Sequence, residues 1–330
     1  MNPMRNQWCI FKMVYISCAL GAYFLLLTAA QTVFAQTFPT KPVRFILGPS
    51  SEVLPRIVAQ RLSATWGHQV LVDPRTGGGG IIAADTVAKS APDGYTWLLS
   101  TATYTISASL LANPPFDLVR DFLPVSLLAS APFYMLVHPS LPVKSVTEFV
   151  ALARARPGQL NYSSSGIGTP PHMAAEMFKS MTRVNLVHVP YKNAAASVVD
   201  HIAGQVQTSF QYGPVSLPHV KSGKLRALAV TSTARSRYAP ELPTMEEAGV
   251  PGYEIIGWNG VHVPLRTPPD IISKLNTDLR QALQAPEVQE RLTQAGLEIH
   301  GSSRADFENF VNKDRARWVK VVKDAGITPE

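Results

Sequence analysis

Residues 161 to 232, NYSSSGIGTPPHMAAEMFKSMTRVNLVHVPYKNAAASVVDHIAGQVQTSFQYGPVSLPHVKSGKLRALAVTS, read as three consecutive strand, loop and helix units. Small hydroxyl residues, Gly and Pro stand where each helix must begin. Alternation this regular calls for a parallel sheet covered by helices. Helix starts leave backbone N–H groups unpaired and carry the positive end of a dipole, so starts that converge form a site for an anion.

The same alternation opens upstream. An apolar strand, Val43 to Leu47, precedes a helical pattern with Val53, Leu54, Ile57, Val58 and Leu62 on one face. A second strand, Val70 to Val72, leads through Gly77-Gly78-Gly79-Gly80 into a helix from Ile81 to Lys89, and the turn Ala91-Pro92-Asp93-Gly94 precedes a third strand, Tyr95 to Leu99. Tyr134 to His138 reads as a strand stopped by Pro139, and Ser145-Val146-Thr147-Glu148 is a capping box that opens a helix running to Ala155. Ile255 to Val263 reads as a strand returning to the first part of the chain. Amphipathic patterns at Asp270 to Leu283, Pro286 to Ala295 and Ala305 to Ala325 form a helical tail packed on that part.

These elements predict an α/β chain of two lobes, each a central mixed or parallel sheet flanked by helices, with a cleft between them. Residues 36–137 and 259–330 make lobe I and residues 138–258 lobe II. The chain then crosses between lobes twice, near 137 and near 258, which is hinge geometry for closure around a ligand.

The first 35 residues read as a signal peptide: Arg5 and Lys12 without an acid, an apolar run from Met13 to Leu27, and a small-residue cleavage site at Val33-Phe34-Ala35. Fifteen apolar residues are short for a membrane span. Export to the periplasm with Gln36 as the first mature residue is the expectation. Both cysteines, Cys9 and Cys18, fall in the removed segment, so the 295-residue mature chain has no thiol for a disulfide, a nucleophile or a zinc site. Loss of Arg5 and Lys12 lowers the formal charge from +7 to +5, a balance that favours anionic solutes or serves solubility. No basic run with interleaved aromatics suggests nucleic acid.

The wording of 161 to 232, and of the chain from about Phe38 onward, resembles the solute-binding receptors of tripartite tricarboxylate transporters, often called Bug receptors. The resemblance implies a type II periplasmic-binding-protein fold that holds a small carboxylate between its lobes. It also implies delivery to the membrane subunits of a tripartite transporter, action as a monomer, and no metal or nucleotide. In the resembling receptors the loop Ser100 to Tyr104 touches solute, which makes Thr101 and Thr103 candidate donors; the alternative is a helix cap, and Tyr104 has packing as its alternative. Ser163 to His172 follows the pattern small-Gly-x-Gly-Ser/Thr-x-Pro-His apart from Pro170, which puts Ser164, Gly168, Thr169 and His172 on the candidate site. Thr169 as a plain N-cap and His172 as a structural ring are the competing readings.

Tyr191, Asn193 and Ala194 open the next helix, with Asn193 where the family has Gly and with Lys192 either neutralising a carboxylate or solvated. Gln211 stands where the family often has Asp, which removes a partner for a ligand ammonium group and disfavours free amino acids. Trp258 forms an apolar wall for the solute or packs at the hinge. The chief departure is Gly48-Pro49-Ser50-Ser51-Glu52-Val53-Leu54-Pro55-Arg56, where the family carries a Gly pair and then Asp. Ser50 and Ser51 are the remaining donors there, Glu52 is expected to repel an anion, and Arg56 takes the place of the Asp.

Gly78-x-Gly80-x-x-Ala83 matches a dinucleotide fingerprint but sits in the second βα unit behind Asp73 to Gly77, which is the wrong context. No Gly-x-Ser-x-Gly, Ser-x-x-Lys, Walker loop or His-Glu-x-x-His occurs, and the eight histidines lack metal-ligand spacing. The reading is a non-catalytic receptor for a small organic acid. A receptor that signals through a membrane sensor kinase is the second class, and an exported hydrolase the third.

Overall fold

The computed structural model describes residues 38–110 and 115–324. The expected leader, with Cys9, Cys18 and Gln36, lies outside them. Lys41 to Glu330 form one compact unit that holds all the strands and helices of the described residues.

Its first strands are β1 (Val43–Leu47), β2 (Val70–Pro74) and β3 (Thr96–Thr101), joined through α1 (Val53–Trp66) and α2 (Ile81–Ala88). β1 pairs in parallel with both neighbours. Val43, Phe45, Ile46 and Leu47 are buried, the near-continuous apolar run expected of a strand covered on both faces. β3 runs straight into α3 (Ala102–Leu110), and after a short turn of helix, α4 (Leu118–Asp121), the chain enters β4 (Phe122–Val137).

β4 spans 16 residues, about 50 Å at 3.3 Å per residue, and nearly all of it is buried. Over Phe122 to Pro132 it pairs antiparallel with β9 (Ile256–Pro264), and over Phe133 to Val137 antiparallel with β7 (Thr208–Tyr212) and β8 (Arg226–Val230). The partner changes between Pro132 and Phe133. The second half-sheet continues from β7 to β5 (Asn161–Ser164) and β6 (Val187–Pro190), all parallel. Its helices are α5 (Val146–Ala155), α6 (Pro170–Thr182), α7 (Ala194–Ile202) and α8 (Gly213–Lys221). The three strand, loop and helix units read from residues 161 to 232 are all present.

The tail matches the sequence expectation within a residue or two: α9 (Pro269–Gln284), α10 (Pro286–Gln294), the short β10 (Glu298–Ile299) against β4, and α11 (Arg304–Asp324). One feature differs. β4 begins twelve residues before the Tyr134 expected from periodicity, because its buried Ser126, Ser130 and Pro residues break the apolar run without leaving the ladder. The sheet is mixed, one of the two expected forms, since β4 and β9 carry the chain out and back between two otherwise parallel half-sheets.

Packing at the return strand is tight. Phe307 of α11 lies over Gly260 of β9, so close that an added Cβ would stand 2.1 Å from the ring, and the ring is held by Trp258 at 5.8 Å and His262 at 4.9 Å. Gly260→Ala is therefore expected to destabilise the protein by about 1–3 kcal/mol. A lowered midpoint in urea unfolding checks this, and an unchanged midpoint would mean that the Phe307 ring moves freely.

Candidate functional site

Two adjoining cavities open where the half-sheets meet. The inner one, about 60 Å³, is lined by Pro49, Ser50 and Ser51 ahead of α1, by Thr101, Ala102 and Thr103 at the start of α3, and by Pro170 and Pro171 at the start of α6. Ala194 opens α7 onto it, Tyr212 and Val215 belong to the start of α8, and Phe133, Ser165, Gln211, Gly257, Trp258 and Asn259 complete the wall. Five helix starts therefore converge on one chamber, and no lining side chain carries a charge. The outer cavity, about 450 Å³, shares Pro49 and Ser165 with it and adds Gly77 to Gly79, Ile81, Ser107, Leu110, Gly166 to Gly168, Pro190, Tyr191 and Lys192.

The five starts differ in what they offer. Thr101 caps α3, its hydroxyl accepting from Thr103 N–H at 3.3 Å, and Ser51 accepts from Val53 N–H at 3.3 Å ahead of α1. Asn193 caps α7 by accepting from Ala196 N–H at 2.9 Å, the role its residue type favours. Pro170, Pro171 and Pro214 lack an N–H, so α6 and α8 bring a dipole and prolyl rings with fewer donors. The Ser50 hydroxyl is buried with no hydrogen-bond partner.

The polar wall is pre-set by neutral groups. Gln211 donates to Ser197 Oγ at 2.9 Å, and Ser197 donates to Ser163 Oγ at 2.9 Å. Asn259 donates to the Tyr212 hydroxyl at 2.8 Å, and burial raises that phenol's pKa so that it stays protonated. Trp258 is buried, with Phe307 and Phe310 edge-on at 5.8 and 5.5 Å, and its indole N–H donates to Asp314 Oδ2 at 3.0 Å.

Of the residues selected from the sequence, Ser50, Ser51, Thr101, Thr103, Ala194, Gln211 and Trp258 line the inner chamber, and Gly168 and Tyr191 line the outer one. Ser164, Thr169, His172 and Asn193 line neither. Thr169 donates to the Gly166 carbonyl at 2.6 Å and closes its own turn. His172 accepts from Gly168 N–H at 3.2 Å and stacks on His188, ring centres 4.3 Å apart, while Ser164 Oγ lies 2.7 Å from His188 Nε2. Burial and the neighbouring His172 pull the His188 pKa down to about 4, so His188 is neutral and packs beneath the loop. Tyr104 packs edge-on against Phe116 at 5.4 Å.

Glu52 and Arg56 form an ion pair with each other on the surface, and neither lines a cavity. The expected repulsion of an anion by Glu52 is thus offset at its source. Sequence reasoning passed over Pro49, Phe133, Tyr212 and Asn259, and also the glycines 77 to 79, which sit at the mouth. A Cβ on Gly79 would stand 3.1 Å from the Ile167 carbonyl across the opening, a closeness that only a glycine with its φ of +59° accommodates.

A family model described as tripartite tricarboxylate transporter family receptor matches residues 54–327. The chain belongs to that family. The resemblance read from the loops is thereby borne out. This receptor is 33% identical over 321 residues to protein BugT of Bordetella pertussis, covering 96% of this chain and 98% of that one. Among solved structures it is similar to R. palustris Rpa4515 with adipate, at 38% identity and TM-score 0.85 over 89% of this chain and 100% of that one. It is also similar to MatC from Rhodopseudomonas palustris with bound malate, at 26% identity and TM-score 0.83 over 86% and 100%. Among the described residues of the receptor, no helix is long and apolar enough to cross a membrane and no group of three or more His, Cys, Asp or Glu side chains is placed to hold a metal ion.

Glu52→Gln should change carboxylate affinity by less than about twofold, because an exposed pair carries little energy; a large gain by titration calorimetry would restore the repulsion. His201 and His262 are buried beside Ser209 and Ser100, and burial pulls their pKa values down to about 4 and about 3. Both are neutral in the fold but take up a proton in the unfolded chain below about 6.5. The stability they confer is complete above that pH and is lost as pH falls toward 4, by up to about 1.4 kcal/mol per pH unit for each. Urea midpoints should fall between about pH 7.5 and about pH 5, and a flat profile would contradict the neutral assignment.

Proposed function

We propose that this chain is a periplasmic, non-catalytic receptor that captures a small organic acid in the inner chamber and presents it to the membrane subunits of a tripartite transporter. The observation that carries the reading is the convergence of five helix starts on a chamber without a charged side chain. Such a chamber stabilises negative charge through oriented N–H groups, hydroxyls and helix dipoles rather than through a counter-ion. Bound adipate and malate in two similar structures support a carboxylate as the ligand class.

In this reading Ser50, Ser51, Thr101, Thr103, the first turn of α7 at Ala194, and Gln211 take the acid group, while Trp258, Phe133 and the prolyl rings of Pro49, Pro170 and Pro171 take the carbon frame. At about 60 Å³ the inner chamber suits a head group, and the remainder of the ligand extends past Ser165 toward Gly168 and Tyr191 in the outer cavity. In this reading the hinge lies where β4 changes partner, between Pro132 and Phe133, and where β9 begins, at Ile256, a few residues before the lobe boundaries expected near 137 and 258, with residues 36 onward and the tail forming lobe I and the segment between forming lobe II. Closure then needs only small rotations at two chain crossings. Gln211, a neutral amide at the base, disfavours a ligand ammonium group.

The test is thermal unfolding of the purified protein against carboxylates, aromatic acids, amino acids and amides, since a ligand that binds only the folded state raises the midpoint. A carboxylate shift is expected, with the acid recovered unchanged; shifts confined to cations, or consumption of the acid, would overturn the reading. Ser50→Ala sharpens it. Its hydroxyl has no internal partner to lose, so stability should hold while affinity falls by about 1.5–3 kcal/mol, the worth of a hydrogen bond to a charged group.

A further inference from the structure

Asp314 of α11 touches neither cavity, yet one of its oxygens holds two parts of the inner wall. Asp314 Oδ2 accepts from Trp258 Nε1–H at 3.0 Å and from the Thr105 hydroxyl at 2.6 Å. Trp258 is a wall of the chamber, and Thr105 lies in the first turn of α3, the helix that presents Thr101 to Thr103 to it. The carboxylate is buried at 6% exposure, with Arg317 donating to its other oxygen at 3.3 Å. Burying a carboxylate is costly unless its hydrogen bonds are made, and its burial raises the Asp314 pKa. A merely structural contact would be met as well by an apolar residue, as buried ion pairs often are.

We propose that Asp314 is a positioning residue of the ligand chamber: from the C-terminal helix it fixes the Trp258 indole and the start of α3 relative to one another, and so sets the width of the chamber. The inference rests on the carboxylate-receptor reading for its effect on affinity and on the hydrogen bonds alone for its effect on Trp258. Asp314 also lines a separate cavity of about 560 Å³ with His300, Lys313 and Arg317. Its two hydrogen bonds tie α11 to the chamber wall at Trp258 and to α3 at Thr105.

The experiment uses the full protein, with adipate as the probe and two readouts. The indole N–H resonance of Trp258, identified by its loss in Trp258→Phe, should move in Asp314→Ala and stay near its place in Asp314→Asn, whose amide oxygen still accepts from both donors. Adipate affinity should fall roughly tenfold in Asp314→Ala and recover to within about threefold in Asp314→Asn; in the Trp258→Phe background the alanine change should add less than about twofold, the coupling expected when one residue acts through the other. An unmoved indole resonance, or full adipate affinity in an Asp314→Ala protein that only melts earlier, overturns the proposal. Wild-type protein that ignores adipate would count against the carboxylate reading, and the resonance would still decide the role of Asp314.

Discussion

One strand belongs to two sheets. β4 offers its first eleven residues to β9 and its last five to β7 and β8, and everything near the site depends on that change of partner. Pro132 marks the end of the first ladder, and without an N–H it is a natural place for pairing on that edge to stop. The loops after β1 and β3 in one half-sheet and after β5, β6 and β7 in the other then line the seam, which is where open α/β sheets bind ligands. The cleft is the consequence of the join.

Because the loops leave strands and enter helices there, the inner chamber collects helix starts without collecting charged side chains. Each start contributes about half an elementary charge of dipole, held in place by backbone that is already hydrogen bonded inside the protein. Neutral caps keep those dipoles oriented: Thr101 on α3 and Asn193 on α7. A buried arginine would grip an anion harder but would also cost several kcal/mol to desolvate when the site is empty. A receptor that must release its load is better served by donors that need no counter-ion.

The strand and helix order was legible because apolar periodicity and turn residues report local structure, and residues 161 to 232 carried both without ambiguity. The early half of β4 was not legible, since Pro124, Ser126, Ser130 and Pro132 interrupt the apolar pattern and only the long-range ladders hold them in a strand. At the site, positions at helix starts were readable from residue type and from the resemblance, which is why Ser50, Thr101 and Ala194 fall on the chamber, while Gln211, in β7, was found through the resemblance alone. Side-chain direction was not. Thr169 and His172 sit in the right loop but turn inward, one to the Gly166 carbonyl and the other onto His188, and no spacing in the sequence records that turn. Asn259 and Tyr212 were missed because their value comes from a partner 47 residues away.

The prolines give the chamber its character. Pro49, Pro170 and Pro171 line it, and Pro214 stands in the first turn of α8, so positions that elsewhere would supply N–H groups supply rings instead. In the proposed binding mode the scarcity of donors leaves room for one acid group in the polar part of the inner chamber, and the rest of its surface, with Phe133, Val215 and Trp258, rewards contact with hydrocarbon. Beyond Ser165 the outer cavity holds Ile81, Leu110 and Ile167 and one cation, Lys192, at its exposed side. In the proposed binding mode, selectivity among acids resides less in how the acid group is held than in what the hydrocarbon behind it meets, and Trp258, whose indole N–H is held by Asp314, is the largest side chain lining the chamber.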